Sequence, residues 1–181
     1  MASLFFPDTT VLVHFALMGR METLRLVVRD RGSWCASVAH ECDLGARKPG
    51  QESMGLAREI FGEPLYLRDR KERIDALALR GTFAAPGDPK TKHLGEAETL
   101  TIINNRQINA MFVTDDEAAA LRATLLGIPT YTTWDILKLC VRTGLLTTEE
   151  AWNGILVVRG NRGRRRPYLR DRQSFERWCE S

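Results

Sequence analysis

Long apolar runs are missing from this sequence. Its longest, such as Val11 to Val13 and Ile155 to Val158, stop far short of the roughly 20 residues a membrane helix needs. Cysteine is sparse. Cys35, Cys42, Cys140 and Cys179 are too scattered for a CxxC metal site or a disulfide framework. The start, MASLFFPDTT, reaches Asp8 without the cationic stretch of a secretory signal. Lysine is scarce too, since 21 of the 26 basic residues are arginine. Strong net charge is absent, at +3. These absences exclude a membrane protein and a secreted disulfide scaffold. What is present is ordinary for a globular chain: 181 residues, 44% hydrophobic and 27% charged, which argues against disorder and leaves room for one domain. The expectation is a cytoplasmic protein with reduced thiols that pack as small hydrophobes.

Short apolar runs alternate with longer amphipathic ones. Strands are expected at Ser3–Pro7, Trp34–Ala36, Pro64–Leu67, Ala110–Val113 and Pro129–Tyr131. Helices are expected from Thr9 or Thr10 to Leu17, from Met21 to Arg29, and from an N-capping Ser37 to about Arg47. More follow at Gln51–Phe61, at Lys71–Arg80 with Ile74, Leu77 and Ala78 on one face, and at Glu96–Asn105. The last three are Glu117–Leu126 closed by Gly127, Thr133–Arg142, and a helix capped by Thr147 that runs to about Ile155. Gly81 to Gly95 has no sustained period. This alternation predicts an α/β fold: a three-layer α/β/α sandwich with a mostly parallel central sheet.

The near-neutral charge hides two unlike parts. Residues 156–181 hold eight arginines against three acids, a net +5, which leaves −2 on the other 155 residues. The sequence therefore divides into a body, 1–158, and an Arg-rich C-terminal tail, 159–181. Arg162, Arg164, Arg165 and Arg166 in that tail suit salt-sensitive contact with nucleic-acid phosphates. An acidic partner segment and a solvated tail are the competing readings.

Acids of the body fall at predicted strand ends. Asp8 ends the first strand, and Asp115 and Asp116 follow Ala110–Val113. Glu41 lies one turn into the helix after the second strand, and Glu96 and Glu98 open the helix before the fourth. In a parallel α/β sheet the carboxyl ends of the strands share one edge, where ligand crevices form. Carboxylates converging there repel one another and call for a counter-charge, and Mg²⁺ or Mn²⁺ accepts such oxygen donors. The chemistry this points to is metal-assisted hydrolysis or transfer of a phosphate ester. Each acid also has a plain reading: Asp8, Asp115 and Asp116 as helix caps, Glu96 and Glu98 as first-turn acids facing a helix dipole, and Glu41 as a solvated residue.

In this order, Phe6-Pro7-Asp8-Thr9-Thr10-Val11-Leu12, Ser37 to Glu41, Gly95-Glu96-Ala97-Glu98 and Val113-Thr114-Asp115-Asp116 resemble the PIN domain family over residues 4 to 140. The Gly-Glu-Ala-Glu and Thr-Asp-Asp elements are similar to its VapC-type toxin branch. The resemblance implies a Mg²⁺- or Mn²⁺-dependent endoribonuclease, the toxin of a toxin–antitoxin pair, acting on RNA, with a cognate antitoxin and a homodimeric state. It assigns Asp8, Glu41, Glu96 and Asp115 as catalytic acids, with Asp8, Glu96, Asp115 and Asp116 as metal ligands. Glu98 is the alternative to Glu96, and Asp116 the alternative to Asp115. Thr9 and Thr114 would hydrogen-bond carboxylates or metal-bound water. A non-catalytic nucleic-acid-binding module that binds through the tail is the alternative function.

His14, His40 and His93 share no ligand spacing. His93, Lys90 and Lys92 are either substrate contacts or solvated loop residues. The four tryptophans read as core or interface anchors.

Overall fold

Leu4, Phe5, Phe6 and Pro7 give a short apolar run that stops at the acidic Asp8. The run forms β1 (Leu4–Pro7). The structure, a computed structural model, describes residues 3–83, 85, 87–89, 91–159 and 170–181. Two more strands, β2 (Ala110–Val113) and β3 (Thr130–Tyr131), join β1 in a parallel three-stranded sheet of order β1-β2-β3. The register pairs Leu4 with Ala110 and Pro7 with Val113, and Val113 with Tyr131. All three strands thus end level. Asp8 N–H donates to Val113 O at 2.8 Å and Thr114 N–H to Tyr131 O at 2.9 Å, carrying the ladder just past the strands.

The helices are α1 (Thr9–Leu17), α2 (Met21–Val28), α3 (Ala36–Gly45), α4 (Ala57–Phe61) and α5 (Arg70–Gly81). They continue as α6 (Leu94–Asn105), α7 (Glu117–Leu125), α8 (Thr133–Arg142), α9 (Thr148–Arg159) and α10 (Arg172–Glu180). This is a mixed α/β fold. Successive residues of a strand point to opposite faces. Accordingly Phe5, Met111 and Val113 pack in one apolar cluster, and Phe6, Ala110 and Phe112 in another. The larger cluster collects residues of α1 to α4, α8, α9 and α10 with Ile102 of α6, and the smaller one other residues of α6 and residues of α7. Among the described residues no helix is long and apolar enough to cross a membrane. All four cysteines are free and buried.

Several expectations need correction. Trp34–Ala36 and Pro64–Leu67 are not strands but isolated parallel bridges, Phe5 with Gly32 and Cys35 with Leu65, on the far side of β1 from β2. Gly32 is needed there, because a Cβ would lie 2.8 Å from both Phe61 Cδ1 and Val28 Cγ1. Cys35, not Ser37, occupies the N-cap position of α3. Gln51–Phe61 splits into a 3-10 segment, Glu52–Leu56, and α4. On α5 the expected inner face is outside: Ile74 and Leu77 are exposed, while Glu72 and Ala76 are buried. Glu72 turns inward because Arg106 meets it with two bonds of 2.8 Å. The final body helix runs one turn past Ile155, to Arg159.

The last residues of the segment set apart as a tail are part of the body. Asp171 caps α10, and Phe175 is fully buried among residues of the larger cluster. Its ring lies 5.9 Å from that of Trp152 and 6.0 Å from that of Trp178. Lys138 of α8 sits 4.8 Å over the Trp178 ring. Arg162, Arg164, Arg165, Arg166 and Lys90 lie outside the described residues.

Candidate active site

The level ends of three parallel strands deliver Asp8, Thr114 and Thr132 to one edge of the sheet. Two helices bring acids to it from the side. A Cβ placed on Gly95 of α6 would lie 3.0 Å from Val38 Cγ2 and 3.8 Å from Glu41 Oε2 of α3. Glycine there lets α6 begin close to α3 without displacing Val38, and this approach brings the Glu96 turn toward Glu41.

Asp8 takes the N-cap position of α1, yet its side chain makes no capping bond to that helix. Its carboxyl instead accepts from Thr114 Oγ1 at 3.2 Å and is 5% exposed as a residue. Burial, then the charges of Glu96 and of Glu41, push its pKa up to about 8, against the lowering effect of bonds from Thr114 and the Thr9 backbone. Glu41 is raised as well, first by burial and further by Glu96, although Thr9 Oγ1 donates to its Oε2. Glu96 accepts from His93 Nδ1 at 3.3 Å. Asp8, Glu41 and Glu96 therefore form one electrostatically coupled group.

The other acids are committed elsewhere. Asp115 Oδ1 accepts from Thr133 N at 2.9 Å, and its Oδ2 from Thr133 Oγ1 at 2.6 Å and His14 Nδ1 at 2.8 Å. Burial alone would raise its pKa. The bonds from His14 and Thr133 outweigh that and hold it below the usual aspartate value. Asp116 caps α7, with Oδ1 accepting from Ala119 N at 2.9 Å, and its own N–H donates to Thr114 Oγ1 at 3.1 Å. Glu98 Oε2 accepts from Ser37 N at 3.2 Å and so ties α6 to the first turn of α3.

Two residues of this neighbourhood were not singled out from the sequence. His14 is buried, stacked 5.8 Å from the Trp134 ring and bonded to Asp115. Thr133 opens α8 and is fully buried. The level ends of a parallel sheet were the available signal for Thr133, which comes two residues after β3. No sequence pattern marked His14.

The donor set is all carboxylate, which suits a hard divalent cation. A buried carboxyl that keeps its proton to about pH 8 is also a group that gains from a nearby cation. Among the described residues no three His, Cys, Asp or Glu side chains are gathered closely enough to hold a metal ion in common. Comparison with family models, with curated proteins and with solved structures gives no match.

Proposed function

We propose that the chain is a Mg²⁺- or Mn²⁺-dependent endoribonuclease of the PIN type, acting at Asp8, Glu41 and Glu96. The observation that carries this reading is the buried Asp8 carboxyl, pushed up to about 8 by burial and by its acidic neighbours at the strand-end edge. Among the described residues no cation faces this carboxyl, whose hydrogen bonds come from Thr114 and the Thr9 backbone, and a buried acid of this kind gains from a positive charge brought to it. The two apolar clusters fed by alternate strand residues support a three-layer α/β/α arrangement behind that edge.

In this reading Asp8, Glu41 and Glu96 would draw together around the metal on binding it, and Asp116 borders them through Thr114. The bound metal would lower the pKa of a water and offset charge on a phosphodiester. Thr114 aims the Asp8 carboxyl, Thr9 the Glu41 carboxyl, and Glu98 fixes α3 against α6. Asp115 acts from one step away. With both oxygens engaged by Thr133 and His14, it anchors the start of α8 beside the site. A toxin role would add a cognate antitoxin and a homodimer, and the arginines at 162 and 164 to 166 would contact RNA phosphates.

The second reading is a nucleic-acid-binding module without catalysis. It is favoured by the lack, among the described residues, of a ready-made metal group. Soaking crystals in MnCl₂ separates the two. An anomalous peak within bonding reach of Asp8 and either Glu41 or Glu96 supports the nuclease. Salt-dependent RNA binding with no Mn²⁺ peak at these acids supports the binding module.

A further inference from the structure

We propose that His93 is a positioning residue that fixes the Glu96 carboxylate beside Asp8 and Glu41, rather than a cap for α6. The proposal rests on the reading of these acids as a divalent-cation site. Its starting point is a backbone anomaly. The residue before a helix is normally Ser, Thr, Asp or Asn in the extended region, with its side chain bonded to the first turn. His93 holds that position in α6 at φ +62 and ψ 16, in the left-handed region, and its side chain makes no capping bond. A Cβ is disfavoured in that conformation, and such outliers persist only where the surroundings enforce them.

The surroundings do so through the imidazole. The ring stacks on Phe83 with centroids 5.5 Å apart and planes 27° from parallel. Its Nδ1 lies 3.3 Å from Glu96 Oε1. A carboxylate offers only lone pairs, so the ring donates from Nδ1–H. Both side chains are mostly shielded, 16% exposed for His93 and 15% for Glu96. Among the described residues this imidazole is the one hydrogen-bond partner of the Glu96 carboxylate. Left without it, a glutamate facing other acids would swing toward solvent. The path is therefore continuous: Phe83, just beyond α5, holds the ring, the ring holds Glu96, and Glu96 follows Gly95, on which a Cβ would lie 3.8 Å from Glu41 Oε2.

The test is calorimetric titration of MnCl₂ into the native chain and three variants, with a melting curve of each metal-free protein. His93→Gly relieves the left-handed backbone and removes the ring. Its melting temperature should hold or rise, while Mn²⁺ affinity falls about tenfold, as expected for loss of a group orienting a ligand. His93→Asn tolerates the left-handed region and keeps an N–H donor, so it should stay within about threefold of native. Phe83→Leu keeps the histidine and loosens it, and should weaken Mn²⁺ binding by about threefold. Native Mn²⁺ affinity in both His93→Gly and Phe83→Leu overturns the proposal and leaves the metal-site reading intact. Failure of the native chain itself to take up Mn²⁺ overturns both.

Discussion

Thr114 Oγ1 donates to Asp8 Oδ2 at 3.2 Å and accepts the Asp116 N–H at 3.1 Å, at a residue only 1% exposed. One hydroxyl thus joins the ends of β1 and β2 and aims the acid between them. Thr114→Val keeps the shape and removes both bonds. It should destabilise the fold by about 1–3 kcal/mol, because a polar group is left unpaired. RNA cleavage should fall by about 10–100-fold, and Thr114→Ser should recover most of it. Urea denaturation and a cleavage assay check the two effects separately.

Asp8 also sets a pH dependence. An ordinary aspartate ionises near 3.8, and Asp8 in the folded chain near 8. Between these values the unfolded chain has released the proton that the folded chain still holds, so rising pH favours unfolding across this window. Glu41, raised by burial, acts in the same direction. Glu72 and Asp115 are lowered in the fold, so their stabilising share is lost only on the acid side of their ordinary values. Metal-free protein should therefore lose stability as pH climbs from about 4 to about 8, and Asp8→Asn should flatten that slope. Denaturation midpoints across this range, native against Asp8→Asn, decide it. Parallel slopes would remove Asp8 as the source.

Asp115 and Asp8 should respond differently to the same change. Asp115 is embedded in donors from Thr133 and His14. Asp115→Asn leaves at least one of those donors without an acceptor, and should cost about 1–3 kcal/mol of stability. Its cleavage should fall less than that of Asp8→Asn. Thr133→Ala should mimic it in stability. Equal and total loss of cleavage in Asp115→Asn and Asp8→Asn would return Asp115 to the catalytic group.

A shielded ion pair joins α5 to the residue after α6, beside the bond from Asn105 Nδ2 to Asp75 Oδ2 at 2.7 Å. Arg106 and Glu72 are 9% and 7% exposed as side chains, and the guanidinium holds the Glu72 carboxyl down at about 2. Arg106→Ala leaves that carboxylate buried without its partner and should cost about 3 kcal/mol. Replacing both residues with apolar ones of similar size should cost much less. A double-mutant cycle by urea denaturation measures the difference.

Much of this architecture can be read along the chain, and the exceptions share one cause. Thr147 and Gly127 mark helix ends through local chemistry, and each does so in the fold. The run from Ala110 to Val113 needs no partner information to be recognised as a strand. Ile74 and Leu77 suggested the buried face of α5 by spacing alone, and the partner that reverses the helix, Arg106, is over thirty residues away. Cys35 and Leu65 sit where strands were expected, but they form only a single bridge, since pairing length depends on the neighbour. At the site, Asp8 and Thr114 are legible because strand ends in a parallel sheet share an edge. His14 and His93 are not, because their partners Asp115 and Glu96 are set by packing and by a strained backbone. Phe175 was hidden by the arginines around it, whose density suggested an appendage.

The docking of α10 on the body is testable at Phe175. Phe175 is fully buried in the larger cluster, so Phe175→Ala should cost about 3–5 kcal/mol. An appendage would melt independently and leave the main transition unmoved. A single cooperative transition shifted downward is the expected calorimetric result.

The central claim is that Asp8, at the end of β1, serves metal-dependent cleavage of RNA. The direct measurement is the cleavage of a single-stranded oligoribonucleotide by the purified full chain, with Mn²⁺ and with chelator, beside Asp8→Asn. The account predicts cleavage by the native chain with Mn²⁺, none with chelator, and none by Asp8→Asn at any Mn²⁺ concentration. Cleavage by Asp8→Asn at the native rate, or none by a folded native chain with Mn²⁺, would contradict it.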